Sequence, residues 1–167
     1  MPSDAGMYFW CNDDELFLFI RGRVTATEAY SMYRHVEEWT RVHQESSVFV
    51  DLDNATYIDS TTIGTLIRLH KQQRAHGGSL VICNPSDAVA NVIEKTKLSN
   101  YFTIIEDEEL HAVEKDYLET MPRHHGTDVD SSFVLDAHND ICRVRPELTP
   151  KFQGLISELK RHGSSKS

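Results

Sequence analysis

Between residues 47 and 118 the chain alternates short apolar runs with helical patterns: SVFVDL, STTIGTLIRLHKQQRA, SLVIC, PSDAVANVIEK, YFTII and DEELHAVEKDYL. This alternation constrains the fold more than any other feature. Successive strands separated by helices must run parallel, with each helix crossing back over the sheet that it covers. SVFVDL and SLVIC are short, β-branched and almost wholly apolar, the pattern of strands buried on both faces. Ahead of them, MYFWC and LFLFIRG flank the polar turn NDDE and read as an antiparallel hairpin. The expected class is therefore α/β, a mixed β-sheet packed by α-helices.

The helices can be placed by their apolar faces. In TATEAYSMYRHVEEWTRV, Ala29, Met32, Val36 and Trp39 recur at helical spacing, with Thr25 or Thr27 as N-cap. Ile63, Leu66, Ile67 and His70 form the next face, which stops at Gly77-Gly78. Pro85-Ser86 opens a helix carrying Val89, Val92 and Ile93, and DEELHAVEKDYL reads as a further helix with acids in its first turn. Residues 1–120 form the expected domain. Met121 to Ser132, MPRHHGTDVDSS, reads as a linker. Residues 133–162 then read as a helical hairpin bearing Phe133, Val134, Ala137 and Ile141, then Leu148, Phe152, Leu155, Ile156 and Leu159. Such a pair is too small to fold alone and should pack on the domain or on a partner. Residues 163–167 read as a disordered tail.

Composition removes several functions. A formal net charge of −9 disfavours nucleic acid, which requires clustered Lys and Arg, and suits a partner with a basic surface. No run approaches the roughly 20 apolar residues of a membrane helix, and MPSDAGMYFW lacks the charge and apolar core of a signal peptide. No membrane insertion and a cytoplasmic location are the expectations. Cys11, Cys83 and Cys142 are odd in number and far apart, so they read as buried or incidental thiols.

No glycine-rich phosphate loop, GxSxG elbow or HExxH pair is present, and no cofactor is expected. His111 with His124-His125 lacks the fixed ligand set of a metal site, and His70 reads as a structural histidine. Asp51, Asp53 and Asp59 near a strand end raise a magnesium-dependent phosphotransfer site, but SLVIC is followed by Asn84-Pro85-Ser86 and no lysine. There remains the stretch YIDSTTIGTL, in which three hydroxyls, Ser60, Thr61 and Thr62, follow Asp59 at a helix start. One hydroxyl suffices to cap a helix, and more cost helix propensity. A hydroxyl at a helix N-terminus is also a favourable place for a phosphate, because free amides and the helix dipole stabilise its charge.

Taken in order, these parts resemble the anti-sigma factor antagonists of the STAS domain family. The matching stretch is VFVDLDNATYIDSTTIGTLIRLHKQQRAHGGSLVICNPSDAVANVIEKTKLSNYFTIIED, and with the hairpin the resemblance spans about Met7 to Leu118. It implies a sheet with its helices on one side. It also implies that Ser60 is phosphorylated by a GHKL-type serine kinase that doubles as the anti-sigma factor, with a serine phosphatase to reset it. No catalytic residue, metal or cofactor of its own is implied; the ATP belongs to the kinase. Asp59, Thr61, Thr62, Ile63, Gly64 and Thr25 map to the partner-binding edge. Where the family's usual turn is D-S-S-G, Thr62 replaces the glycine here, and Thr25 stands where the family often has an aspartate. The helices beyond residue 133 lie outside the common domain and could serve self-association or a second partner. An alternative output is a secretion, biofilm, motility or transport complex in place of a sigma factor.

Overall fold

The computed structural model describes residues 5–111, 113–123, 129 and 131–164. Strands β1 (Gly6–Cys11) and β2 (Glu15–Val24) form the antiparallel hairpin, in which Asn12 N–H donates to the Glu15 carbonyl. Helix α1 (Ala26–Val42) returns the chain to β3 (Ser47–Asp51), which pairs parallel with β2. Strand β4 (Ala55–Ile58) and helix α2 (Ser60–Ala75) follow, then β5 (Ser79–Cys83), α3 (Asp87–Lys95) and β6 (Thr103–Ile105). The sheet order is β6-β5-β3-β2-β1, with parallel pairing from β6 through β2. This is the mixed sheet required by the alternation and the leading hairpin.

Core formation follows the two-residue period of the strands. Leu16, Leu18 and Ile20 of β2, Val48 and Val50 of β3, and Leu80 and Ile82 of β5 all point to the helix-covered face and are buried. Against them pack Met32 and Val36 of α1, Ile63, Leu66 and Ile67 of α2, and Val89 and Ile93 of α3. Ser86 caps α3 by accepting from Val89 N–H, and Gly77, at φ +78°, lets the chain turn out of α2. On the opposite face Phe17 and Phe49 stack at 4.7 Å, and Trp10 is exposed. A groove of about 450 Å³ lies there, lined by Trp10, Phe17, Phe19, Leu110, Val113 and Tyr117.

Three local expectations change. Strand β4 was hidden in the sequence, because ATYI joins β2 in parallel beyond a register shift and is too short to show a period. The helix read over DEELHAVEKDYL is shorter: α4 covers only Glu108–His111, and a 3₁₀ turn spans Lys115–Tyr117. An additional strand, β7 (Glu119–Thr120), pairs antiparallel with the free edge of β1. Met121, the first residue of the stretch read as a linker, is buried and donates its N–H to the Met7 carbonyl at 2.8 Å. Helix α5 (Ser131–Val144) begins within that same stretch. His124 and His125 lie outside the described residues.

After α5 a 3₁₀ turn at Pro146–Leu148 leads into α6 (Thr149–Ser164). Helix α5 packs along α2, and α6 packs along α5. Its apolar face inserts into the domain: Phe133 lies edge-on to Tyr30 of α1 at 5.0 Å, and Ile141 and Phe152 join the main core. At its far end Arg145 Nε donates to the Lys97 carbonyl at 2.7 Å, beyond α3.

Because Leu66 is fully buried in the main core, Leu66→Ala should cost about 3 kcal/mol in urea unfolding. Stability should also fall on acidification. Burial holds the imidazoles of His35 and His70 below their ordinary 6.5, with Arg74 adding to the effect at His70. The unfolded chain therefore takes up these protons first, and stability present above 6.5 is lost as pH drops toward the folded values. The urea midpoint should be lower at about pH 6 than at about pH 7.5, less so in His70→Phe.

Candidate functional site

The turn into α2 is built by Asp59 and Thr62. Asp59 N–H donates to the Val24 carbonyl at 3.3 Å, which fixes the helix start to the end of β2. The Asp59 carboxylate is the N-cap: its Oδ1 accepts from Thr62 N–H and from Thr62 Oγ1, both at 2.8 Å. Thr62 Oγ1 also lies 3.0 Å from the Val24 carbonyl, so this hydroxyl proton has two competing acceptors. The capping group is thus an acid rather than one of the three hydroxyls. Thr61, Thr62 and Ile63 are all buried. Thr62 in the glycine's position is a brace between α2 and β2. Thr25 caps α1, where the Glu28 carboxylate accepts from its N–H at 3.0 Å and its hydroxyl at 2.8 Å. Burial pushes Glu28 up, but these bonds outweigh it and hold its carboxyl below the usual range.

Ser60, the first residue of α2, is only half-buried, and its hydroxyl takes no part in the cap. It meets α5 instead. Ser60 Oγ lies 2.7 Å from His138 Nε2, and His138 Nδ1 lies 2.7 Å from the Val134 carbonyl. A carbonyl can only accept, so Nδ1 carries the proton; in the neutral ring Nε2 accepts from the Ser60 hydroxyl. His138 is 1% exposed and has Phe152 of α6 on another side, ring centroids 5.1 Å apart.

One turn along α2, Gly64 lets the two helices touch backbone to backbone. A Cβ at Gly64 would fall 2.1 Å from the Ala137 carbonyl oxygen and 2.7 Å from its Cα. One turn further, Arg68 Nη2 reaches Asp136 at 3.5 Å and its Nε lies 3.8 Å from Asp140. Asp140 is buried, which raises its carboxyl above the usual range although Arg68, Lys71 and Arg143 oppose this. Ser60, Gly64 and Arg68 therefore form one stripe, four residues apart, and α5 lies across all three.

A STAS domain model matches residues 11–111, more than half of the chain. The chain belongs to the STAS domain family. Among solved structures its STAS fold is similar to that of the anti-sigma factor antagonist SpoIIAA in its unphosphorylated form. That pair is 13% identical, covers 64% of this chain and 93% of SpoIIAA, and has a TM-score of 0.56. An anti-sigma-factor antagonist (STAS) domain protein from Planctomyces limnophilus matches with 16% identity, 64% and 95% coverage and a TM-score of 0.55. The phosphorylated form of SpoIIAA from Bacillus matches with 12% identity, 64% and 96% coverage and a TM-score of 0.51. At these identities the likeness is one of fold. Helices α5 and α6 lie outside the STAS match.

The other candidate residues have structural partners in this STAS domain. Asp51 is buried, accepting from Asp53 N–H at 3.1 Å and from Asn84 Nδ2 at 3.1 Å; Asn84 Oδ1 in turn accepts from Asp107 N–H. This network ties together the carboxyl ends of β3, β5 and β6. Its burial raises the Asp51 carboxyl above the usual range. Asp53 pairs with His111 at 2.7 Å, which raises the imidazole. Among the described residues no group of three or more His, Cys, Asp or Glu could hold a metal. His70 packs against Tyr101 and Phe102. Cys83 is buried with its thiol pushed up to about 12, and Cys142 is half-buried. Cys11 is an exposed free thiol. Among the described residues no helix is long and apolar enough to cross a membrane.

His138 was not singled out in the sequence. The available signal was a pair of small residues on two helices, Gly64 one residue past the apolar Ile63 and Ala137 on the apolar face of its own helix, with a histidine beside the second. Asp59→Ala should lower stability by about 1 kcal/mol through loss of the cap, read in a urea melt. Gly64→Val should leave the sheet intact while increasing amide exchange across residues 131–144, because its side chain meets the α5 backbone.

Proposed function

We propose that this STAS protein is a non-enzymatic, partner-switching antagonist whose phospho-acceptor is Ser60. The observation that carries the reading is the division of labour at the turn. Asp59 supplies the cap and Thr62 the brace, which leaves the Ser60 hydroxyl at the head of α2 without a structural duty inside the domain. A phosphate there gains the dipole of a 16-residue helix. It would place about −1.5 to −2 charge on the docking edge.

The partner is an anti-sigma factor that is also a serine kinase of the GHKL type, and a serine phosphatase resets the switch. In the forward step the bond between Ser60 Oγ and the γ-phosphorus of ATP forms and the bond from that phosphorus to ADP breaks. The hydroxyl proton passes to a base on the kinase. Unphosphorylated chain binds the kinase and withdraws it from its sigma factor. Phosphorylated chain brings added bulk and charge into an interface fitted to a neutral hydroxyl, and lets go. The similarity of fold to SpoIIAA, known in unphosphorylated and phosphorylated forms, supports this reading. So does an acidic chain, at net −9, meeting a basic surface.

Incubation with the cognate kinase and ATP should place one phosphate on Ser60, located by mass spectrometry, and none on Ser60→Ala. Ser60→Asp should bind that kinase at least about tenfold more weakly than the unmodified chain. Phosphate elsewhere, together with unchanged binding by Ser60→Asp, would overturn the assignment.

A further inference from the structure

The surface that a partner would need is already occupied. Ser60 and Gly64 face α5, and Arg68 spends its charge on Asp136 and Asp140. We propose that the α5–α6 hairpin is a built-in competitor for the docking face of α2, and that a seated α5 and a phosphate on Ser60 exclude each other. The phosphate arm of this inference rests on Ser60 being the phospho-acceptor; the occupancy of the face does not.

The exclusion follows from the packing around His138. Its Nε2 stands 2.7 Å from Ser60 Oγ, a hydrogen-bond distance with no space for a phosphorus and three oxygens. The ring has nowhere to retreat, since Nδ1 is held by the Val134 carbonyl and Phe152 lies against it. One turn away Ala137 rests on Gly64 backbone to backbone, so the seated helices stand closest beside the place where a phosphate would need room. A dianion driven into this place would lose its water beside a ring that is 1% exposed. Phosphate on Ser60 therefore ejects α5.

Ejection breaks contacts that belong to the cover itself. Among them are the Phe133 ring against Tyr30 and Tyr33, Ile141 and Phe152 in the core, the Gly64–Ala137 contact, the Ser60–His138 bond, the Arg68 pairs and the Arg145 bond to Lys97. The sheet and helices α1 to α3 do not depend on α5 for their pairing or their caps. The domain beneath can stay folded while the cover opens, the behaviour of a separate cooperative unit. A kinase must likewise wait for, or force, this opening before it reaches Ser60.

The three cysteines supply the assay. Cys142 is on α5, half-buried and packed against the core, while Cys83 is sealed in β5. Full-length chain carrying Cys11→Ser is prepared with serine or with genetically encoded phosphoserine at position 60, and thiol labelling is followed site by site. Phosphoserine should speed Cys142 labelling about tenfold or more, with Cys83 still protected. His138→Ala, which removes the latch without adding charge, should speed it several-fold. Labelling of Cys142 that is unchanged or slowed by phosphoserine would overturn the exclusion. Opening of Cys142 and Cys83 together would overturn it too, since the hairpin would then be no separable cover. No kinase is present in this assay. Opening here with no kinase phosphate on Ser60 would remove the switch reading and keep the cover; the reverse pair of results would remove the cover alone.

Discussion

The backbone contact between Gly64 and Ala137 fixes the arrangement of the whole upper layer. Helix α2 is buried on two sides: Ile63, Leu66 and Ile67 go down to the sheet, and the stripe of Ser60, Gly64 and Arg68 goes up against α5. Only a glycine at the crossing lets the second helix sit so close, and that closeness is what brings His138 within hydrogen-bond distance of Ser60. With a side chain at residue 64, the ion pairs at Arg68 and the packing of Phe133 on α1 would all be displaced outward together. The molecule is thus a layered stack of sheet, helices and a second helical layer, registered at one point.

This stacking explains why the turn carries so many hydroxyls. A helix head that must be anchored below and covered above needs polar groups aimed in opposite directions. Thr62 satisfies the lower demand at Val24, Asp59 satisfies the amides, and Ser60 faces upward. The stiffer entry brought by a threonine in place of glycine is offset by a hydroxyl donor that glycine lacks, shared between the Val24 carbonyl and the Asp59 carboxylate.

Much of this was legible in the sequence, and the reasons for the failures are physical. Strand and helix alternation, the leading hairpin and the apolar faces of α1, α2 and α3 follow from periods of two and 3.6 residues, and these survive into the structure. Strands β4 and β7 did not show, because four and two residues carry no period, and both exist only through pairing with β2 and β1. The excess length given to α4 came from an acidic first turn that favours a helix locally but had no core to bury. At the site, Asp59-Ser60 was visible as a motif, whereas its contact with His138 spans 78 residues and depends on a helix crossing that no local pattern encodes.

The position of the cover also fixes how the protein would respond to dose. A competitor tethered to its own target does not dilute. It acts at an effective concentration set by the connecting chain, commonly on the order of millimolar for short tethers. An outside partner for the same face must overcome that fixed opposition whatever the abundance of this protein in the cell. The hairpin therefore sets a floor on the affinity of any partner, and shifts the onset of binding to higher partner concentration. Changes in the hairpin alone would tune that onset while leaving Asp59, Ser60 and the rest of the α2 head untouched.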